Sequence, residues 1–411
     1  MGVPAGRRGP TEVPGEPSAE LGGEPEPGPL VPEDDHPDLT EPKTQTPGQH
    51  PVERGHDYVI TSEDGIGEGG PRQKYRDNVD AIRALKAVEA EGRPATPEEQ
   101  AVLVKYIGWG GLPQVFDPLN DTSSYRAGRR TEWSDEYKAM QELLTPEEYE
   151  AARASVNNAH YTSPLVVREI WSALDHMGFR GGRVLEPAAG VGHFLGLQPP
   201  STIFQRTAVE LDSITGRILT TLYPRANVKV QGFETMHLPD NFFSVAVGNV
   251  PFCDFGVVDT TPYGKRYSER GLDRRIHDYF LAKTLDKVQP GGIMATITSA
   301  GTLDKIDKAA RVFLAERGEL LGAIRLPNTA FKGNANTEVT TDILFFRKRQ
   351  EPITRSEAER EPWIGTVTRQ DLVGDREYDN QGRRIRPELN AYFNEHPEMV
   401  LGTLAQDKLH P

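Results

Sequence analysis

One cysteine, Cys253, stands in the whole chain. That excludes an internal disulfide and a cysteine-built zinc site, and it suits a reducing compartment. No apolar run approaches the about 18 residues that a membrane helix needs, and the first residues lack the hydrophobic core of a secretory signal. The sequence therefore predicts a soluble, cytoplasmic protein with no membrane contact. Aromatic residues are only 8% of the 411, and Tyr58 is the only one among residues 1–70. That segment is dense in Pro, Gly and Glu. It cannot bury enough apolar surface to offset the entropy of ordering, so residues 1–70 are predicted to be a disordered acidic tail. Basic charge is scarce there too: fifteen Asp/Glu against four Lys/Arg account for −11 of the formal −14, leaving −3 on residues 71–411. A near-neutral body can still present a basic face, so the acidic total does not exclude nucleic acid.

What is present is enough hydrophobic sequence, 36%, for one large domain of roughly 200–250 residues and smaller pieces. Residues 73–155 read as a helical subdomain. Val79, Ile82, Leu85 and Val88 recur at helical spacing, and Gly92-Arg93-Pro94 ends that helix. Thr96-Pro97-Glu98-Glu99 restarts one, with Thr96 as cap and Glu99 three residues on. Trp109, in the turn Gly108-Trp109-Gly110-Gly111, is expected to anchor this piece on the main domain, and a helical pair covers about 134–155. Arg126, Arg129 and Arg130 are basic enough to meet phosphates, but such a cluster is more often a solvated loop.

Residues 157–350 alternate strand and helix signals. Seven strand-like runs lie at 183–185, 207–211, 228–231, 243–248, 293–298, 320–325 and 342–347. Helical runs are expected at 163–178, 192–196, 213–222, 273–288 and 302–317. This predicts an α/β fold, a doubly wound and mostly parallel sheet. No helix separates the last two strands, so they are expected to form an antiparallel edge hairpin. Residues 351–411 read as a polar C-terminal extension with a strand near 363–368 and a short helix near 387–394.

Four strand exits carry the chemistry. The first is Leu185-Glu186-Pro187-Ala188-Ala189-Gly190-Val191-Gly192-His193-Phe194, an acid followed by a Gly-x-Gly turn into a helix. Gly190 and Gly192 are expected to let backbone approach a ligand closely. A dinucleotide turn would need a third glycine where Leu195 stands, and Glu186 would repel a pyrophosphate. Glu186 suits an amino-bearing or cationic ligand. The second exit ends in Glu210, placed to accept ribose hydroxyls, whereas Asp212 suits a helix cap. The third presents Phe233 and Glu234, a ring and an acid for a nucleobase or equally a core Phe beside a solvated Glu. The fourth is Asn249-Val250-Pro251-Phe252. The Asn249 side-chain oxygen and the Val250 carbonyl can accept both N–H groups of a planar amine, whose delocalised lone pair is otherwise a poor nucleophile. Phe252 would stack on an extruded base. Proximity and alignment drive such a transfer, which needs neither metal nor covalent intermediate. Cys253 and His277 have no partner pattern and read as structural.

Residues 157–350 resemble an S-adenosylmethionine-dependent N6-adenine DNA methyltransferase of the gamma type, similar to Type I modification subunits. The resemblance rests on Tyr161-Thr162-Ser163-Pro164, on Glu186-Pro187 through Gly190-x-Gly192-x-Phe194, on Glu210, and on Asn249 to Phe252. It implies a seven-stranded Rossmann-like methyltransferase sheet. It implies donor binding by Tyr161, Thr162, Pro164, Glu186, Pro187, Ala188, Gly190, Gly192, Phe194, Glu210, Phe233 and Glu234, and catalysis by Asn249, Val250, Pro251 and Phe252. Thr96 to Gln100, Gly108 to Gly111, Gly301 to Lys305 and Arg325 to Lys332 are similar to mobile-element and phage proteins that join such a methyltransferase to a helicase, antirestriction proteins among them. The implied partners are DNA and a helicase, restriction-modification or mobile-element protein, with no membrane and no metal. The implied setting is the nucleoid or a phage or plasmid.

Val250 replaces the family's Pro, and since a carbonyl is what the position supplies, Val250→Pro is expected to leave activity near wild type. No long target-recognition domain follows the motifs. The 253–275 loop, with Lys265, Arg266 and Arg270 beside Tyr263 and Tyr267, is a candidate strand-gripping element set against a solvated loop. Phe331 is a candidate second ring of the base pocket. Two other readings stay open: a non-catalytic DNA- or partner-binding module, and methylation of another planar amine, an RNA base or a protein glutamine.

Overall fold

The computed structural model describes residues 55–121, 131–156, 161–199, 204–253, 255–331, 339–372 and 386–405. Four helices come first: α1 (Pro71–Glu91), α2 (Pro97–Leu103), α3 (Ser134–Leu143) and α4 (Pro146–Ser155). Gly92 ends α1 in the left-handed conformation, its N–H donating to the carbonyls of Val88 and Glu89. Thr96 and Glu99 cap α2 reciprocally, at 3.3 and 2.8 Å. Asn78, fully buried on α1, accepts from Ile107 N–H at 2.9 Å and donates to Gly108 O at 2.6 Å. That pairing fixes the turn carrying Trp109, which is buried edge-on against Phe116 at 5.4 Å.

The seven predicted strands form one sheet: β1 (Gly182–Glu186), β2 (Phe204–Glu210), β3 (Asn227–Val230), β4 (Phe243–Asn249), β5 (Val288–Ser299), β6 (Gly318–Leu326) and β7 (Thr341–Lys348). Their order is β3-β2-β1-β4-β5-β7-β6. The first five are parallel, and β7 runs antiparallel to both β5 and β6. The last two strands thus make the expected antiparallel pair, with β7 inserted inside β6. The connecting helices are α5 (Pro164–His176), α6 (His193–Gly196), α7 (Ser213–Leu222), α8 (Lys265–Ser268), α9 (Ile276–Lys287), α10 (Gly301–Asp304) and α11 (Ala309–Arg317). The helix predicted over 302–317 is two helices. Asp304, at the break, bonds Arg325 at 2.7 Å and the Asn390 amide at 2.9 Å.

Both faces of the sheet are covered, which is why β4 reads as a continuous apolar run. Val184, Val245 and Val247 point into a core shared with α1, α2, α5 and α7, so the N-terminal helices are continuous with the sheet. Leu185, Ala246 and Met294 point into the opposite core with α9, α11 and the C-terminal segment. There Trp363 packs on Phe346 at 5.4 Å, and Thr366–Thr368 pairs antiparallel with Glu388–Asn390.

Residues 55–70, predicted to belong to the disordered tail, are ordered and packed on the body of the protein. Tyr58 N–H donates to Leu222 O and Ile60 N–H to Gly196 O, both at 2.9 Å. Asp57 pairs with Arg206 and accepts from Arg225 N–H at 2.9 Å. Ile60 and Ile66 are buried; four backbone and side-chain anchors hold a segment whose composition alone signals disorder. Among the described residues no helix is long and apolar enough to cross a membrane.

Candidate active site

Strand order reverses between β1 and β4, whose neighbours lie on opposite sides. Such a switch point opens a crevice at the carboxyl ends of the strands. The register Leu185↔Ala246 brings the ends of β1 and β4, and with them Glu186 and Asn249, to one cavity of about 800 Å³. Its walls include Tyr161, Thr162, Glu186, Pro187, Ala188, Gly190, Phe194, Glu210, Phe233, Glu234 and all of Asn249 to Phe252. Residues from four strand exits and from the segment leading into α5 therefore converge.

Glu186 is 2% exposed, and its Oε2 accepts no hydrogen bond among the described residues. Burial, then the neighbouring Glu210, pushes its carboxyl well above the usual range. Glu210 accepts from Gly190 N–H through Oε2 and from Asp212 N–H through Oε1, both at 2.8 Å. Burial raises it to about 7 against the opposing pull of those amides. Two acids with suppressed charge in one cavity favour a ligand bringing positive charge or hydroxyl donors. Asp212 caps α7, accepting from Thr215 N–H at 2.8 Å.

The two glycines divide the work that was expected of both. Gly190, at φ +56°, lines the cavity; a Cβ there would meet the Tyr161 ring at 3.0 Å. Gly192, at φ +85°, is not among the lining residues. A Cβ on it would meet Tyr223 at 2.5 Å and Leu219 at 2.6 Å, so it serves the seating of α6 on α7. Pro164 likewise starts α5 and does not line the cavity.

Phe233 presents itself to the cavity with its ring against Phe280 at 5.1 Å. At the corner, Val250 is buried, and its N–H donates to Ile297 O at 3.0 Å, which extends the β4–β5 ladder one residue beyond Asn249. Phe331 is buried and outside the cavity wall; it meets the Phe252 ring edge-on at 6.3 Å and 75°. Phe331 therefore lies behind Phe252 and not on the cavity wall, where a second base ring was expected.

The basic residues of the 253–275 loop do not face the cavity. Arg266 makes a two-pronged pair with Asp240 at 2.7 and 3.1 Å, and Arg270 pairs with Glu316. Guanidinium groups held this way are tied to the body of the protein, with 31% and 30% of their side chains left exposed. Lys265 is solvated, 82% exposed, within 3.4 Å of Glu269. Arg126, Arg129 and Arg130 lie outside the described residues.

Several wall residues carry no sequence signal. His193 is buried edge-on to Tyr161 at 5.4 Å, and burial lowers it to about 4, so it is neutral. Phe255, Gly256, Val257 and Val258 close one side, and Gly108, Ala151, Ala154 and Ser155 bring the N-terminal helices to the cavity. Helical spacing could have placed Ala151, Ala154 and Ser155 on one face of α4, but not over this sheet.

Parallel β1 to β5 with a reversed β7 inside β6, and a cavity at the β1/β4 switch, decide the fold. It is a Rossmann-like methyltransferase fold. No protein-family model matches the chain. Over 192 residues, 46% of this chain, it is 34% identical to the defense against restriction protein B of Escherichia phage P1, and spans 8% of that protein's length. Solved structures resemble it at low identity. A Listeria monocytogenes protein assigned to the class I S-adenosylmethionine-dependent methyltransferases is 14% identical, TM-score 0.41, with 69% of this chain and 90% of that one covered. A component of a type I restriction-modification system is 15% identical, TM-score 0.39, covering 82% and 87%. The EcoKI M protein of a Type I restriction enzyme is 15% identical, TM-score 0.37, covering 66% and 60%.

Proposed function

We propose that this chain transfers a methyl group from S-adenosylmethionine to the N6 amino group of adenine in DNA. One observation carries the reading: the Asn249 to Phe252 corner and the Glu186/Glu210 pair line the same cavity. An acceptor amine and a donor would then share a space sized for both.

The residues present fit such a donor. Glu186 has a buried oxygen without a hydrogen bond, suited to an amino group. Glu210 keeps lone pairs for hydroxyls beyond the two amides it already holds. Gly190 admits close approach, and Phe233 with Glu234 offers a face and an edge to a nucleobase. When bound, the donor supplies a methyl group on a positively charged sulfur. The chain's own part is to hold and polarise the acceptor. The Asn249 side-chain oxygen and the Val250 carbonyl accept the two amine N–H groups, drawing the nitrogen toward a tetrahedral shape and freeing its lone pair. Phe252, steadied by Phe331, stacks on the base and holds the amine in line with the donor.

The similarity to a phage protein named for defense against restriction supports a setting in which DNA modification opposes or accompanies restriction, with a restriction-modification, helicase or other mobile-element protein as partner. Purified protein incubated with radiolabelled S-adenosylmethionine and, separately, DNA, RNA and protein tests the reading. Label in DNA at N6-methyladenine, lost in Asn249→Ala, is expected. Label in RNA or protein alone would reassign the acceptor, and donor binding without label in any of them would leave a binding module.

A further inference from the structure

Lys283, on α9, is a buried charge that neither half of the site accounts for. Its side chain is 1% exposed, and it does not line the cavity. Its Nζ donates to Tyr279 Oη at 2.9 Å, to Asp259 Oδ2 at 3.1 Å and toward the Glu234 carbonyl at 3.4 Å. It also lies 5.1 Å from the centroid of the Phe233 ring. Asp259 is as secluded, its side chain 2% exposed, and it accepts from Tyr279 Oη at 2.5 Å and from Thr261 N–H at 2.8 Å.

The partners of this ammonium belong to two different walls. Asp259 directly follows Phe255 to Val258, the wall beyond the catalytic corner, whereas Phe233 and Glu234 form the wall at the exit of β3. A buried ammonium is tolerated only when its donors are satisfied. Displacing Asp259 therefore leaves Lys283 short of its counterion, and the ammonium must move away from Phe233 and the Glu234 carbonyl or draw them with it. On the reading of the cavity given above, these walls face the acceptor and the donor respectively. We propose that Lys283 is a positioning residue that couples the loop following the catalytic corner to the turn that holds the donor's nucleobase.

The test pairs Asp259→Asn, Lys283→Met and the double variant of the full chain. Two readouts are used: amide hydrogen exchange without ligand, and calorimetric titration with S-adenosylmethionine. In Asp259→Asn, exchange is expected to quicken at Thr235 and Met236, whose N–H groups donate to Gly232 O and Phe233 O, while the β1 amides stay protected. Donor affinity is expected to fall roughly tenfold, the scale of a coupling between sites. Lys283→Met should match it, and the double variant should be no worse than either single one. Quickened exchange confined to 255–264, wild-type donor affinity in Asp259→Asn, or additive losses would overturn the coupling. Should Lys283→Met fail to fold, Asp259→Asn alone decides. A wild-type protein that binds no donor would defeat the proposed function, and the exchange readout would still decide the coupling.

Discussion

The main-chain N–H of Gly190 donates to Oε2 of Glu210 at 2.8 Å, so the glycine turn after β1 is fastened to the acid that ends β2. A bond that holds the turn also makes its geometry answer to the charge on one carboxyl group.

Glu210 is raised from 4.5 to about 7, chiefly by burial. A raised folded value means that the folded state binds the proton more tightly than the unfolded one. The associated stability is complete below about pH 4.5 and is lost as pH rises through about 7, roughly 3 kcal/mol in all. Glu186 acts in the same direction. Thermal melts of the ligand-free protein from pH 5 to pH 8 should show a falling midpoint, and Glu210→Gln should flatten it while costing about 1 kcal/mol through one lost amide contact. Donor affinity should run the opposite way, rising over the same window as the carboxyl ionises. A midpoint independent of pH in the wild type would contradict this.

Val250 is more than a carbonyl. Because its N–H donates to Ile297 O, the expectation that Val250→Pro leaves the protein near wild type is revised: proline removes that donor at the strand end. A loss of about 1–3 kcal/mol in denaturant unfolding is expected, with activity reduced as the corner loosens. Val250→Ala keeps both N–H and carbonyl and should retain methyl transfer, whereas Asn249→Ala should abolish transfer and leave donor affinity unchanged. Full stability in Val250→Pro would show that the ladder bond is dispensable.

Substituting the two glycines should separate binding from folding. Gly192→Ala forces a methyl group into Tyr223 and Leu219 and should cost about 1–3 kcal/mol by overpacking, beyond its left-handed backbone strain. Gly190→Ala presses on the Tyr161 ring inside the cavity and should weaken donor binding by more than its effect on the melting midpoint implies. Equal loss of affinity and stability in both variants would undo the distinction.

Arg266→Ala and Arg270→Ala should lower stability by up to about 1 kcal/mol each, because Asp240 and Glu316 each lose one charged partner and keep Lys287 and Arg317 respectively. The salt dependence of DNA binding should hardly change in either. Lys265→Ala, by contrast, should cost no stability and reduce the slope of log affinity against log salt by about one if Lys265 meets a phosphate. A reduced slope in the arginine variants would return those side chains to the DNA.

Much of this was legible in the residues. The central strands β4 and β7 show as apolar runs because both faces are buried, and the Thr96 and Asp212 caps show because capping is local chemistry. What was not legible depends on distant partners. Arg266 and Arg270 look like free cations until Asp240 and Glu316, 26 and 46 residues away, are brought to them. The start of β5 at Val288, ahead of the strand expected at 293–298, lies behind Pro290-Gly291-Gly292, residue types that favour turns. The break after Asp304 has no glycine or proline to announce it and follows from the pull of Arg325 and Asn390. Apolar runs such as Ile343 to Phe346 name no neighbour, so the insertion of β7 between β5 and β6 could not be read from them.

Ile60 has a practical consequence for anyone preparing shortened versions of this protein. Gly196 has room for it because a methyl group there would meet the Ile60 side chain at 2.6 Å, and Tyr58 closes the end of α7 through Leu222. Trimming at the compositional boundary near residue 70 would strip these contacts from the helices behind the donor turn and expose Tyr223 and Leu222 to water. A truncation that begins before Asp57 should purify as a monodisperse sample, whereas one that begins at Pro71 should aggregate.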